Sequence, residues 1–284
     1  MCRLNFFNNR NMNLIEAIII AIVEGITEYL PISSTGHMII ASSLLGINKE
    51  EFTKLFEVAI QFGAILAVVA LYWKRFFDFS KWQFYVKLIV GVIPALILGY
   101  LFSDKIDEML ESPLVVAISL LLGGIVLLFI DRAFNHPTVE INEEITYKSA
   151  FVTGLWQTIA MIPGVSRSAA SIIGGMQQKF TRNVAAEFSF FLAVPTMAAA
   201  TLYSIFIKKW NIGGEIKKGY ELILQSQENT VAFVVGNVVA FIVAVIAIKF
   251  FIEYLKKHGF KFFGWYRIIA GLILFVLLYL KVIQ

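Results

Sequence analysis

Charge and cysteine are scarce in this sequence. Only 15 % of its 284 residues are charged, against about 25 % in an ordinary soluble domain. Its mean hydropathy is +0.77, and several apolar runs reach the roughly 20 residues that cross a bilayer. The composition therefore argues against a soluble domain and predicts an integral membrane protein. The single cysteine, Cys2, excludes an internal disulfide, a cysteine metal cluster and a cysteine nucleophile within the fold.

The excess of positive charge is small and spread along the chain. A formal net charge of +4 suits a membrane surface or an anionic ligand, and is too diffuse to indicate a nucleic-acid partner. Residues 1–12 are polar and predict an interfacial arm. The first apolar run contains Glu24 and Glu28 and lacks a small-residue cleavage site, so we do not interpret it as a removed signal peptide.

The apolar runs predict an all-α, polytopic fold in contact with the lipid bilayer. Full spans are expected at about 54–73, 84–102, 113–131, 184–207, 230–251 and 265–283. Two further pairs of runs are interrupted, 14–30 with 36–46 at Pro31, and 148–162 with 167–177 at Pro163-Gly164. Neither half of a pair spans comfortably alone, which is typical of a re-entrant helix–loop–helix whose loop lines a polar cavity.

The two halves of the chain resemble each other. Leu-Pro-Ile-Ser-Ser-Thr at 30–35 aligns with Ile-Pro-Gly-Val-Ser-Arg-Ser at 162–168, with one inserted residue. We predict a single membrane domain over 1–284, with repeat A at about 14–131 and repeat B at about 148–283. Each repeat has three full spans, so the second must be inverted. Inverted repeats built on broken helices place a ligand site near the membrane midplane.

The charges of the loops give conflicting orientations. Basic loops at 74–81 and 256–261 predict that these loops are cytoplasmic and that both termini lie outside. The loop at 208–218 carries four lysines and argues for the reverse orientation.

Two carboxylates, an imidazole and the hydroxyls of Ser33, Ser34 and Thr35 crowd into residues 24–37, among the most apolar surroundings in the chain. Ionisable side chains at membrane depth are costly and mark functional sites. Glu24 and Glu28 are four residues apart and share one helix face. Ionising both carboxylates in apolar surroundings has a high free-energy cost, so the pair is suited to holding a proton or a divalent metal. The alternative is that they satisfy backbone groups at the helix break.

The hydroxyls and the imidazole follow the proline of the same stretch. Ser33, Ser34 and Thr35 are candidates both for helix caps and for chemistry. His37 is the only histidine in an apolar run. A lone buried histidine is often structural, but beside carboxylates and hydroxyls it favours a chemical role. The set contains candidates for a nucleophile, a base and an orienting residue.

The second interrupted stretch supplies the missing cation. Arg167 lies between Ser166 and Ser168, just after Gly164, at the predicted start of a half-helix. A planar guanidinium suits bidentate capture of phosphate oxygens, and the N–H groups of a helix N-terminus add to the same anion site. The alternative is that Arg167 serves as a counter-ion for Glu24 or Glu28. The two roles are compatible if the ion pair forms in the resting protein and opens when substrate binds. The weaker candidates are Gln157 and Glu57.

These motifs resemble those of the undecaprenyl-diphosphatase family, the bacitracin-resistance proteins of bacterial membranes. That family has an E-x-x-x-E stretch running into P-x-S-S-T-G-H, and a P-G-x-S-R-S motif, which correspond to residues 24–37 and 163–168. The resemblance covers nearly the whole chain. It departs at Ser171, where many members have threonine.

The resemblance implies hydrolysis of undecaprenyl diphosphate to undecaprenyl phosphate, which recycles the lipid carrier for cell-wall synthesis and confers bacitracin resistance. It also implies the bacterial plasma membrane, an active site facing the outer side, a divalent cation such as Mg²⁺ or Ca²⁺, and homodimers. The metal ligands are expected to be Glu24 and Glu28. The expected catalytic residues are Glu24, Glu28, Ser34, His37 and Arg167. The candidates for substrate binding are Ser33, Thr35, Gln157, Gly164, Ser166 and Ser168.

The residues leave the nucleophile and one alternative function open. Either Ser34 attacks the terminal phosphorus with His37 as base, or a water activated by Glu28 or His37 does so. A polyprenyl-phosphate flippase or secondary transporter is the main alternative, because carriers also use broken helices in inverted repeats. A lipid phosphatase with a phosphohistidine intermediate would need a histidine soon after Arg167, and none occurs before His258.

Overall fold

The computed structural model describes residues 12–110 and 112–283. The helices are α1 (Leu14–Thr27), α2 (Ser34–Leu45), α3 (Glu51–Ala59), α4 (Gln61–Leu71), α5 (Trp73–Phe76), α6 (Trp82–Leu101), α7 (Ser103–Leu110), α8 (Pro113–Ala133), α9 (Tyr147–Thr158), α10 (Arg167–Gln177), α11 (Arg182–Leu202), α12 (Gly219–Ile223), α13 (Gln227–Lys257) and α14 (Lys261–Tyr279). Short 3₁₀ turns cover Phe79–Lys81, Asn142–Glu144 and Ile159–Met161, and a π-helical turn covers Tyr203–Ile207. The predicted arm at 1–12 lies outside the described residues, except for Met12.

Six segments of the described chain are long and apolar enough to cross a membrane. They are Glu51–Leu71, Phe79–Leu101, Pro113–Ala133, Arg182–Ile207, Gln227–Lys257 and Lys261–Tyr279. At most half of the most apolar window of each is buried in protein, so the remaining apolar surface is available to lipid. These segments match the six predicted spans, and the all-α polytopic fold is confirmed.

Both predicted helix breaks are present. The first break, residues 28–33, separates α1 from α2, and the second break, residues 159–166, separates α9 from α10. The preceding helices end three or four residues earlier than predicted, at Thr27 and Thr158, because the chain leaves the helical path before it reaches each proline. The breaks are therefore longer than the sequence pattern alone indicated.

The outer ends of each broken pair lie together. Met12 before α1 and Ile47 after α2 belong to one apolar cluster with Trp210. At the second pair, the Thr181 N–H after α10 donates to the Val139 carbonyl in the connection that leads into α9, at 2.9 Å. This arrangement is compatible with two re-entrant pairs. The re-entrant path and the inverted repeat stay predictions.

A β-hairpin occupies the segment that the sequence analysis treated as a basic loop. β1 (Lys209–Ile212) pairs antiparallel with β2 (Glu215–Lys218). Gly213 and Gly214 connect them with φ angles of 58° and 97°. Two successive positive φ angles are what a two-residue type I′ hairpin turn requires, and Gly-Gly supplies them without steric cost. The prediction of a loop was wrong because it weighed only the lysines of this segment.

The first break lies in the protein interior. Its residues Tyr29, Leu30 and Ile32 belong to the largest apolar cluster, which also contains Phe188 and Phe190 of α11. The Tyr29 hydroxyl donates to the Ala64 carbonyl of α4 at 2.8 Å, and its ring packs edge-on against Phe190. Aromatic packing and the hydroxyl bond together fix this irregular backbone inside the bundle.

The acidic connection before α9 is held to the basic loop after α4. Arg75 donates to the Glu143 carboxylate, and Lys87 donates to the Glu143 carbonyl at 2.9 Å. The hydrogen bond from Arg75 lowers the pKa of the Glu143 carboxyl below its ordinary value. Both segments therefore lie at the same end of the bundle.

Candidate active site

The two breaks meet through one ion pair. Arg167 Nη2 at the start of α10 donates to Glu28 Oε1 at 2.7 Å, although 139 residues separate them. The Arg167 side chain is 14 % exposed and the Glu28 side chain 6 % exposed, so water screens this pair only weakly. The structure thus places the cation of the second break directly against a carboxylate of the first.

Each half-helix begins at a serine with an unusual backbone. Ser33 and Ser166 cap α2 and α10 with φ angles of 73° and 75°, a region that residues other than glycine rarely adopt. Each hydroxyl accepts a hydrogen bond from the N–H three residues on, at 3.3 Å from Gly36 and 3.2 Å from Ala169. Strained backbone of this kind persists where surrounding structure holds it, and it clusters at functional sites.

Ser34 is bonded to the same carboxylate as Arg167. Its hydroxyl donates to Glu28 Oε2 at 2.5 Å, and the residue is 7 % exposed. One carboxylate therefore binds a hydroxyl through one oxygen and a guanidinium through the other. A carboxylate within hydrogen-bond reach of a hydroxyl is a candidate base for it.

His37 is directed away from Ser34. Its Nδ1 lies 2.7 Å from the Ser33 carbonyl oxygen, which only accepts, so Nδ1 carries the proton. Its Nε2 lies 2.8 Å from the hydroxyl of Tyr266 in α14 and accepts from it in the neutral ring. Both ring nitrogens are engaged, and no hydrogen bond joins His37 to Ser34 among the described contacts, as the alternative with His37 as the base of Ser34 would require. Glu28 occupies that position instead.

The Arg167 guanidinium is also bonded to α11. Its Nη1 donates to the Ser189 carbonyl at 2.9 Å and lies 3.3 Å from the Ser189 hydroxyl. Its guanidinium also lies 5.7 Å from the centre of the Tyr29 ring. Its Nε is buried and has no hydrogen-bond partner among the described residues. The guanidinium is thus oriented from one side and retains an unused donor.

A cavity of about 170 Å³ opens between the two breaks. It is lined by Glu28, Ser33, Ser34, Thr35, Gln61, Ala160, Gly164, Ser166, Arg167, Thr196, Met197 and Ala200. The first N–H groups of α2 and α10 have no partner within their own helices, and they start at this cavity. Two helix N-termini and a guanidinium at one cavity make it suited to an anion.

Four predicted site residues do not line the cavity. They are Glu24, His37, Gln157 and Ser168. Gln157 Nε2 donates to the hydroxyl of Thr196, which does line it, at 3.0 Å. The Ser168 hydroxyl donates to the Leu30 carbonyl at 2.8 Å and so connects the second break to the first. The structure therefore places these two behind the cavity wall.

Glu24 is the buried acid of the site that lacks a partner. It is fully buried beside the carboxylate of Glu28, and no hydrogen-bond donor among the described residues reaches either of its own carboxylate oxygens. A buried ionised carboxylate without a partner is costly. The position therefore calls for a proton or a cation.

The sequence analysis missed two residues of α14. Tyr266 bonds to His37, and Arg267 reaches the backbone of both breaks. Arg267 is 0 % exposed, yet it lies only two residues inside the predicted start of the last span, at 265. An arginine near the end of a span ordinarily extends its charged group to the membrane interface, so its position in the sequence does not suggest burial. The rule that was applied to Glu24, that a charge within an apolar run marks a functional site, would have identified Arg267 as well.

The comparison with known families decides the identity. A family model described as bacitracin resistance protein BacA matches residues 17–273, which include both breaks and every residue that lines the cavity. The chain belongs to the BacA family. Ser171 donates to the Arg167 carbonyl at 2.8 Å and is bonded to the Ser189 hydroxyl at 2.7 Å.

Relatives within the BacA family are similar to this chain over almost their entire length. The undecaprenyl-diphosphatase of Flavobacterium johnsoniae is 57 % identical over 267 residues, covering 94 % of this chain and 96 % of the relative. That of Bdellovibrio bacteriovorus is 52 % identical over 270 residues, with 94 % and 97 % covered. That of Acetivibrio thermocellus is 40 % identical over 284 residues, with 95 % and 99 % covered.

Proposed function

We propose that this chain hydrolyses undecaprenyl diphosphate to undecaprenyl phosphate and inorganic phosphate. The names of its relatives and its membership of the BacA family support this reaction, which recycles the lipid carrier for cell-wall synthesis. The observation that carries the proposal is the contact of Ser34 and Arg167 with one carboxylate, that of Glu28. It joins a nucleophile, a base and an anion-binding group at a cavity open to substrate.

The surroundings of the cavity suit a lipid with a charged head. Its lining includes the apolar side chains of Ala160, Met197 and Ala200. Beside it, Ile159, Ile162 and Leu202 are 42 %, 39 % and 51 % exposed, and apolar side chains in these positions can contact a polyprenyl tail. The diphosphate would then enter the polar cavity while the tail remains in the lipid.

In the proposed mechanism the resting ion pair opens when the substrate binds. Arg167 turns from Glu28 to the diphosphate, and the N–H groups that begin α2 and α10 add to the binding of its oxygens. Glu28 then loses the guanidinium from Oε1 and keeps the Ser34 hydroxyl at Oε2, which is in place to take its proton. Placement and charge stabilisation of this kind are most of what phosphoryl transfer asks of a protein.

The chemical step proposed for Ser34 is a displacement at the terminal phosphorus. Ser34 Oγ forms a bond to this phosphorus as its proton passes to Glu28, and the bond to the bridging oxygen breaks. Undecaprenyl phosphate leaves, and water then hydrolyses the phosphoserine to release phosphate and restore the hydroxyl. We assign His37 the task of holding the Ser33 carbonyl, and therefore the strained cap beside the nucleophile.

We further propose that a divalent cation such as Mg²⁺ or Ca²⁺ acts at Glu24 and Glu28. The two unpartnered, buried oxygens of Glu24 support this assignment. Within the described residues no group of three or more His, Cys, Asp or Glu side chains is suited to a metal ion. The protein would therefore supply only two carboxylates, and phosphate oxygens and water would complete the shell, as is usual for Mg²⁺. The bound cation would neutralise negative charge on the diphosphate.

For the cell, we propose the bacterial plasma membrane, with the active site facing the outer side. The cavity lining follows α11 from Thr196 to Ala200, the half of the helix that leads to the hairpin. If the basic loops at 74–81 and 256–261 are cytoplasmic, the hairpin end is external. Homodimers are proposed from the family resemblance alone.

The experiment that tests the function measures phosphate released from undecaprenyl diphosphate in detergent micelles. Wild type should release phosphate, and Ser34→Ala should lose at least about 10²-fold in kcat. Ser42→Ala is a matched control, because Ser42 is a buried serine of the same helix whose hydroxyl donates to the Met38 carbonyl. Rapid quenching should trap phosphoserine at Ser34. No release by wild type would refute the function, and full activity in Ser34→Ala would refute the nucleophile.

A further inference from the structure

Arg267 of α14 is the largest side chain that is completely buried in the described part of the protein. Each of its five N–H donors is directed at a backbone carbonyl. Nη1 donates to Val165 at 2.9 Å and Pro31 at 3.2 Å, and Nη2 donates to Gly164 at 2.8 Å and Ser119 at 3.0 Å. Nε makes a longer contact of 3.5 Å with Leu120.

The carbonyls that Arg267 binds come from three separate parts of the chain. Pro31 lies in the first break, Gly164 and Val165 lie in the second, and Ser119 and Leu120 lie in α8. Within the described residues, no carboxylate forms an ion pair with this guanidinium. A buried charge that only holds helices together would be inefficient, since apolar packing does this at lower cost. The positions of the donors therefore indicate that Arg267 acts on the backbone of the two breaks.

We infer that Arg267 is a positioning residue that fixes the two breaks relative to each other and so sets the geometry between Ser34 and Arg167. This inference rests on the proposed phosphatase function. Pro31 is two residues before the strained cap Ser33, and Val165 directly precedes the strained cap Ser166. One rigid guanidinium that binds both carbonyls therefore determines how the two half-helix N-termini face each other.

A contact that holds the two breaks together is needed because substrate binding removes the ion pair between Arg167 and Glu28. In the described structure the breaks are also joined by the Arg167–Glu28 pair and by the bond from Ser168 to the Leu30 carbonyl. The first of these opens when Arg167 turns to the diphosphate. The contacts of Arg267 involve only backbone carbonyls, so they persist during the reaction. They keep the nucleophile in place while the ion pair is exchanged.

Two variants perturb Arg267 by independent routes. Arg267→Lys retains the charge but offers only three donors from one nitrogen, so it cannot reproduce the five bonds of the planar guanidinium. Gly123→Ala leaves Arg267 in place, but the added Cβ would lie 2.1 Å from its Nη2 and must displace the guanidinium. Gly99→Ala is the matched control, because its Cβ meets only the end of Met161, at 3.5 Å.

The test measures kcat, KM and thermal unfolding of the full-length variants in detergent. A misplaced nucleophile lowers kcat, so Arg267→Lys and Gly123→Ala should each lose at least about tenfold in kcat with KM within about threefold of wild type. The double variant should lose little more than the worse single variant, because both changes act through one group. Gly99→Ala should match wild type.

Several outcomes would overturn the inference while leaving the function intact. They are wild-type kcat in both variants, a rise in KM alone, which would indicate that Arg267 binds substrate, and additive losses in the double variant. Losses that vanish once activity is expressed per folded molecule would also overturn it, since they would show a role in stability only. A wild-type protein that releases no phosphate would instead refute the proposed function.

Discussion

A single carboxylate, that of Glu28, connects the two halves of the candidate site. One of its oxygens accepts from Ser34 and the other from Arg167, so its basicity toward the hydroxyl depends on where the guanidinium is. While the ion pair is closed, the carboxylate is stabilised as an anion and is a weak base. Substrate binding draws the guanidinium away and leaves Oε1 for the proposed cation, while Oε2 keeps the Ser34 hydroxyl, which couples the base of the nucleophile to occupation of the cavity.

Glu28→Gln should abolish this coupling. An amide retains the size of the side chain but takes no proton from Ser34, so kcat should fall by at least about 10²-fold. The measurement is phosphate release at saturating undecaprenyl diphosphate. Glu187→Gln is the matched control, because Glu187 is a partly buried acceptor for Asn142 at 2.8 Å, outside the cavity lining. Equal rates for the two variants would remove Glu28 from the mechanism.

Glu24 differs from its neighbour because no hydrogen-bond donor in the described part of the chain reaches its carboxylate. If it helps to hold the proposed divalent cation, Glu24→Gln removes one of only two protein carboxylates. The metal concentration that gives half-maximal activity should then rise about tenfold or more, and activity should recover largely at high metal. Titration of chelator-treated protein with Mg²⁺ and Ca²⁺ measures this. Glu16→Gln in the same helix is the control, since a glutamine also completes its capping box with Asn13.

An unchanged metal titration in Glu24→Gln would argue that the carboxylate is neutralised by a proton. In that case Glu24→Gln would either lose activity to the same extent at every metal concentration or keep full activity. The two explanations for the unpartnered buried oxygens therefore predict different curves.

At the scale of the elements, the second break depends on its close approach to α8. Gly164 has a φ angle of +89°, and a Cβ there would lie 2.7 Å from the Val116 carbonyl oxygen. Gly164→Ala must therefore adopt an unfavourable backbone conformation and also move away from α8. Arg267 donates to this same Gly164 carbonyl, so any shift also changes the hydrogen bond that joins the break to α14.

Gly214→Ala separates the two effects. Gly214 has a φ angle of +97°, but a Cβ there would have no atom within 4 Å. It should cost about 1–2 kcal/mol locally and leave phosphatase activity unchanged. Gly164→Ala should lower the unfolding temperature further and reduce kcat by more than about tenfold. Equal effects of the two variants on activity and unfolding would show that the approach to α8 is unimportant.

The sequence predicted the helix breaks because their cause is local. Pro31 and Pro163 disfavour helix before them, and the serines that follow are suitable caps. The approximate bounds of the six spans and of the two broken pairs followed from the same kind of evidence. The hairpin at Gly213-Gly214 was equally local and was missed only because the segment was considered for its charge.

The contacts within the site could not be predicted from local patterns. His37 bonds to Tyr266, 229 residues away, and Arg267 bonds to the Pro31 carbonyl, 236 residues away. Which face of α14 meets the breaks is decided by packing of the whole bundle. For this reason the sequence left the base open, with His37 as the candidate for Ser34 and Glu28 or His37 as the candidate for a water, while the structure places the Glu28 carboxylate at Ser34.

At the scale of the whole molecule, the proposed inverted repeat makes a definite statement about accessibility. If both broken pairs are re-entrant from opposite faces, Lys148 at the start of α9 and Gln177 at the end of α10 lie on one face, together with Asp78. Lys49 after α2 and Glu215 in β2 lie on the other face. The chain has one natural cysteine, Cys2, so Cys2→Ser gives a background for single-cysteine variants.

Single cysteines at these five positions should divide into two groups when intact cells are treated with a maleimide that does not cross the membrane. Lys49→Cys and Glu215→Cys should react, because the hairpin end is the proposed outer face. Asp78→Cys, Lys148→Cys and Gln177→Cys should react only after the membrane is opened. Phosphate release by each variant shows that it is folded. Labelling of Lys148→Cys and Gln177→Cys from opposite faces would mean that the second pair crosses the bilayer, and the inverted repeat would then fail. Reversal of the two groups would keep the repeat but place the cavity on the cytoplasmic side.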